Sequence, residues 1–143
     1  MKRPPGITIL GFLCMFAGGG ALFSPLDRPL LSFGIIHHGM VALCLRIGAD
    51  LLGLYLGYGL LKLFRHTWYL YFVVVCMGTI SLGLNVLHEP KVWELCLLLQ
   101  QNANLIPRLV QVTLDTHYVL IAVYTLTALY LYTHKYVFWG KTE

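Results

Sequence analysis

The sequence predicts an all-α membrane protein, a bundle of four transmembrane helices with a short helix in the outer interface. Hydrophobic residues make up 58% of the 143 residues, and charged residues only 11%. Soluble domains carry about a quarter charged residues. The mean hydropathy is +0.73, and the apolar residues are gathered into long stretches. These observations exclude an ordinary soluble enzyme and a disordered chain.

Four stretches approach the roughly 20 apolar residues that a helix needs to cross a hydrocarbon core of about 30 Å. They are residues 7–23, 40–61, 68–87 and 112–132. Apolar residues occur on all sides of each stretch, which is typical of helices in lipid rather than of amphipathic surface helices. We therefore expect one transmembrane domain covering residues 1–143.

Basic residues are divided unequally between the two ends of the predicted spans. Three lie on the side opposite the termini: Arg28, Lys91 and Arg108. Six lie on the side of the termini: Lys2, Arg3, Lys62, Arg65, Lys135 and Lys141. Because Lys and Arg accumulate on the cytoplasmic side, we expect a protein integral to the cytoplasmic (inner) membrane with both termini in the cytoplasm.

The outer connections are longer than the tight inner turn at residues 62–67. Residues 24–39 form the first outer loop, and residues 88–111 form the second. Glu89-Pro90 is typical of a helix start, since Pro suits the first helical position. The apolar residues that follow predict a short helix that lies in the outer interface or docks on the bundle. A plain ordered loop is the alternative.

Arg46 and Asp50 are the charged pair inside a predicted span. They are four residues apart, so their side chains meet on one helix face, and that face continues through Gly53 and Gly57. Small residues at this spacing allow another helix to approach closely, and intramembrane charges usually face protein. We interpret the face as a packing surface with an ion pair, or alternatively as a proton or ion site of a carrier.

The six histidines are numerous for such a chain. His88 closes the third span and His117 opens the fourth, so the two imidazoles could ligate a haem or a chlorin between them. The alternative is interfacial histidines without a ligand. No metal site is expected, because the four cysteines form no Cys-x-x-Cys motif. The sequence contains no recognisable catalytic motif, which predicts a protein that is not an enzyme.

Two segments carry a family resemblance. They are the opening Lys-Arg-Pro-Pro-Gly-Ile-Thr-Ile-Leu at residues 2–10, and Gly-Tyr-Gly-Leu-Leu-Lys at residues 57–62, followed by Trp68. Together they resemble small four-span membrane proteins of bacteria and archaea. The resemblance covers about the first half of the chain and implies a helical membrane fold without an established activity.

These observations lead to three functional hypotheses. The first is a non-catalytic membrane subunit that packs against, stabilises or assembles a larger membrane complex, with no cofactor. The second is a haem- or pigment-binding subunit of an electron-transfer or photosynthetic complex, with His88 and His117 as ligands. The third is a small proton-linked carrier centred on Asp50. The expected partners are the lipid bilayer and other membrane subunits, and not nucleic acid, since the net charge of +4 is spread along the chain.

Overall fold

A computed structural model describes residues 4–20, 28–99 and 103–139, and the chain is mostly helical there, as predicted. The helices are α1 (Pro5–Gly20), α2 (Gly39–Lys62), α3 (Arg65–Leu87), α4 (Glu89–Leu99), α5 (Ile106–Thr133) and the single turn α6 (Tyr136–Trp139), with a 3-10 turn at Ala103–Leu105. Two short strands, β1 (Leu30–Ser32) and β2 (Ile35–His37), lie between α1 and α2.

Within the described residues, three helices are long and apolar enough to cross a membrane: α2, α3 and α5. The expectation of a membrane-type helical protein is confirmed at that level. α1 has 16 residues, which is about 24 Å at 1.5 Å per residue and shorter than a typical hydrocarbon core. The end of the predicted first span, residues 21–23, lies outside the described residues.

α5 extends beyond the predicted fourth span. It begins at Ile106, six residues before the span's predicted start at residue 112. Pro107 lies in the first turn, where its missing N–H costs no hydrogen bond. Ile106 and Val110 are buried against α4, so protein packing rather than lipid covers these two turns.

A β-hairpin occupies part of the predicted first outer loop. β1 and β2 pair antiparallel, with Leu31 opposite Ile36. The two turn residues, Phe33 and Gly34, have φ angles of 52° and 72°. Positive φ at both positions is the pattern of a type I′ turn, whose twist matches that of paired strands.

The chain divides into two compact units that alternate along the sequence. The first unit comprises Met1–Ser24, Leu45–Val75 and Thr125–Glu143, and the second comprises Pro25–Cys44 and Cys76–Tyr124. Because α2, α3 and α5 each contribute residues to both units, this division does not test the expectation of one domain.

The second unit has its own apolar core around α4. Val92 and Cys96, one turn apart on α4, are buried against Ile106 and Val110 of α5. Leu31, Leu109 and Leu114 complete the cluster. The helix begins at Glu89, where the Glu-Pro pair predicts a start, and an ion pair of 2.7 Å joins Lys91 Nζ to Glu94 Oε2 on its exposed side.

Candidate functional site

Side chains of α3 hold the turn of the hairpin in the second unit. The Phe33 N–H donates to Ser81 Oγ at 2.9 Å, and the Gly34 N–H donates to Asn85 Oδ1 at 2.8 Å. Ser81 and Asn85 are four residues apart and therefore lie on one helix face. Asn85 is only 2% exposed. Buried backbone N–H groups need such partners, so this face serves as a docking point for the turn.

Asn85 also joins the hairpin to α5. Its Nδ2 donates to the Leu31 carbonyl at 3.4 Å and approaches His117 Nε2 at 3.3 Å. The other ring nitrogen, His117 Nδ1, lies 2.6 Å from the Thr113 carbonyl oxygen. A carbonyl only accepts, so Nδ1 carries the proton, and Nε2 accepts from Asn85. This pattern assigns the tautomer of His117. We call Ser81, Asn85 and His117 the hairpin lock.

His88 packs beside the same turn. Its Nδ1 donates to the Leu84 carbonyl at 2.9 Å. A Cβ added at Gly34 would lie 3.0 Å from His88 Nδ1. His88 thus borders the turn itself, whereas His117 is joined to the hairpin through Asn85. Since Gly34 also has a positive φ, any side chain there would meet both backbone strain and the imidazole.

Haem or chlorin ligation by His88 and His117 stays a prediction. An iron ligand must offer a bare ring nitrogen, and His117 Nε2 receives the hydrogen bond of Asn85. That bond must break before His117 can bind a metal. A visible spectrum of the pure protein provides the test, because a protein without a Soret or chlorin band carries no such cofactor.

Glycines bring α1 and α2 into backbone contact in the first unit. A Cβ added at Gly18 would lie 2.6 Å from the Asp50 carbonyl oxygen, and one at Gly57 would lie 2.6 Å from the Gly11 carbonyl oxygen. A Cβ at Gly53 would lie 3.0 Å from Gly18 Cα. Such distances leave no room for a side chain. We call Gly11, Gly18, Gly53 and Gly57 the glycine seam.

The glycine seam adjoins the predicted charged pair. Asp50 is 7% exposed, and its backbone carbonyl lies against Gly18. Arg46 is half-buried one turn earlier on the same helix. An ion pair between the two side chains stays a prediction. Within the described ranges, no group of three or more His, Cys, Asp or Glu residues could hold a metal.

Sequence reasoning missed two parts of these sites. The docking role of Ser81 and Asn85 has no local signal, because it depends on a loop some fifty residues earlier in the chain. The α1 side of the glycine seam did have a local signal: Gly11 and Gly18 are seven residues apart, which places them on one face.

No protein-family model, curated protein or solved structure matches this chain.

Proposed function

We propose that this chain is a non-catalytic integral membrane subunit that packs against partner membrane proteins and stabilises or assembles a larger complex. The observation that carries the proposal is the exposed surface of α5. Every residue from 111 to 130 is exposed or half-buried. Yet α5 is the least apolar of the three long helices: its mean hydropathy is 1.3, compared with 1.6 for α2 and 2.0 for α3.

One face of α5 has the composition of a helix–helix contact. Gln111, Asp115, Tyr118 and Ala122 recur at intervals of three and four residues, and all are exposed. Polar side chains are costly in lipid, whereas small and polar residues suit contacts between membrane helices. We call these four residues the α5 face. The α2 side of the glycine seam is already covered by α1. The α5 face is therefore the better candidate for contact with a partner protein.

The proposal includes the membrane placement of the elements. α1, α2, α3 and α5 form four spans with both termini cytoplasmic, and α4 lies in the outer interface. The exposed side chains of Trp93 and Leu97 support that position of α4, since Trp is enriched at membrane interfaces.

In this placement, the hairpin turn lies deeper in the bilayer than the outer end of α3. Ser81 precedes the last residue of α3 by six residues, which is about 9 Å along the helix. Non-helical backbone at membrane depth must have its polar groups satisfied by protein. Ser81 and Asn85 satisfy both N–H groups of the turn.

Photo-crosslinking in native membranes tests the partner proposal. A benzophenone amino acid replaces Tyr118, which is 58% exposed, and we expect a discrete protein adduct. The matched control places the same group at Val123, also exposed and about 140° around the helix from Tyr118. Adducts at neither position, or equally at both, would contradict a partner on the α5 face.

A second candidate function is a small proton-linked carrier centred on Asp50. The burial of this carboxylate in α2 favours it, because an ionisable residue inside a membrane-spanning helix often marks a proton or ion pathway. Asp50→Asn should then abolish flux in proteoliposomes, whereas Asp115→Asn on the exposed α5 face should not. Unchanged flux in Asp50→Asn would remove this candidate.

A further inference from the structure

Three cations of the first unit lie over aromatic rings. Lys62 Nζ is 5.8 Å from the centroid of the Tyr58 ring, and Lys135 Nζ is 5.1 Å from that of Tyr132. Arg65 Cζ is 4.9 Å from the centroid of a Trp139 ring. In the described part of the chain, none of these cations forms an ion pair within 4.0 Å, whereas Lys91 of the second unit pairs with Glu94.

These residues lie where helices of the first unit begin and end, and ring contacts join those around Arg65. Lys62 ends α2 and Arg65 begins α3 three residues later. Trp139 of α6 meets Trp68 and Tyr69 of α3 edge to face, with ring centroids 5.0 and 5.6 Å apart. The Trp68 indole N–H donates to the Leu131 carbonyl at 3.1 Å, which ties α3 to the end of α5. We call Lys62, Arg65, Lys135 and Trp139 the basic–aromatic cluster.

The surroundings of Arg65 suit a phosphate group. Trp favours the headgroup level of a bilayer, so Trp139, over whose ring Arg65 lies, holds Arg65 at that depth in the proposed placement. A guanidinium lying over a ring keeps its N–H donors, because they point outward in its own plane. Arg65 is exposed, and its fork of donors matches a phosphate bidentately.

We propose that the basic–aromatic cluster binds the phosphate of an anionic phospholipid headgroup, with Arg65 as the main contact. Lys62 and Lys135 add positive charge on the same unit. A zwitterionic headgroup fits less well, since its own cation is repelled by the three basic residues. The proposal rests on the membrane placement proposed above but not on a protein partner, because it concerns lipid at the ends of α2, α3 and α5.

Native mass spectrometry of the purified protein with equal amounts of phosphatidylglycerol and phosphatidylcholine tests this inference. We expect adducts of phosphatidylglycerol to predominate. Arg65→Gln should lower the ratio of the two adducts about fivefold, the usual contribution of one basic residue near an anionic surface. Arg108→Gln removes the same charge from an exposed position in the second unit, and we expect its ratio to match the wild type.

Two further measurements complete the test. Excess inorganic phosphate should leave the phosphatidylglycerol adducts in place; their displacement would indicate a site for free phosphate and overturn the lipid proposal. Arg65→Lys keeps the charge without the planar fork and should give an intermediate ratio. Equal adducts of both lipids in the wild type, or a wild-type ratio in Arg65→Gln or Arg65→Lys, would also overturn the proposal.

Discussion

Asn85 joins three parts of the second unit: the hairpin turn, β1 and α5. Its amide oxygen accepts from the hairpin turn, and its nitrogen donates to β1 and to His117. The direction of each bond follows from the one before it, because a backbone N–H can only donate and a carbonyl can only accept. One side chain therefore positions the hairpin and orients an imidazole on another helix.

Asn85→Ala should release the hairpin. The Gly34 N–H loses its acceptor, and a buried polar group left without a partner costs about 1–3 kcal/mol. We expect faster amide hydrogen exchange at Phe33 and Gly34, with the rest of α3 still protected. Gln111→Ala removes a hydrogen bond from an exposed position and serves as the control. Unchanged exchange at both turn amides would contradict the hairpin lock.

Phe33 is a strained residue in the turn. Its φ of 52° lies in the left-handed region, which costs most residues roughly 1–2 kcal/mol and which Asn tolerates. Phe33→Asn should therefore raise the thermal denaturation temperature.

Gly34→Ala should lower the thermal denaturation temperature more than Gly39→Ala does. Both glycines have positive φ, but an added Cβ meets His88 only at Gly34. Equal effects of the two alanines would show that the His88 contact is unimportant.

At the scale of elements, the glycine seam determines how α1 and α2 pack in the first unit. Gly57→Val should push the two backbones apart, and overpacking of this kind costs about 1–3 kcal/mol. Gly48→Val is the matched control on the same helix, because a Cβ placed there would meet no described side chain or neighbouring helix within 4 Å. Thermal unfolding in detergent measures both. Equal stabilities for the two variants would argue against the seam.

The packing between α4 and α5 can be tested by labelling the thiol of Cys96. Cys96 is 2% exposed, and burial raises the pKa of its thiol, an effect that a hydrogen bond with Thr113 partly offsets. A raised pKa leaves less thiolate at neutral pH, and thiolate is the reactive form. In a variant with Cys96 as its single cysteine, we expect slow labelling by iodoacetamide.

Ile106→Ala should speed the labelling of Cys96, since it removes part of the Ile106 side chain from the buried cluster that contains Cys96. The exposed neighbour Leu105→Ala is the control. Fast labelling of Cys96 before any substitution would contradict a packed core at this position.

The elements show where sequence reasoning succeeds. Long apolar helices are predictable because crossing a membrane requires apolar length, which is a property of the local sequence. The predicted span begins at residue 112 and does not indicate that the helix itself begins at Ile106, because residues 106–111 include Arg108 and Gln111, and hydropathy cannot show that Ile106 and Val110 pack on α4. The hairpin escaped prediction because strands of three residues carry little pattern and depend on Asn85, far away in sequence.

At the scale of the whole molecule, the sequence predicted the class of protein but only part of the candidate sites. Gly53 and Gly57 were singled out from their spacing, and the structure places α1 against them. Asn85 and Ser81 could not be assigned a docking role, because that role exists only once the hairpin has folded. The four-span arrangement, its orientation and the family resemblance stay predictions.

The central claim is that this protein works as a subunit of a larger membrane complex. The most direct test is the native mass of the protein extracted from its own membranes in mild detergent. We predict a discrete complex well above the 16.2 kDa of the chain, in a fixed ratio to a second membrane protein or to further copies of itself. Recovery of the free monomer alone, under conditions that keep other membrane complexes intact, would contradict the claim.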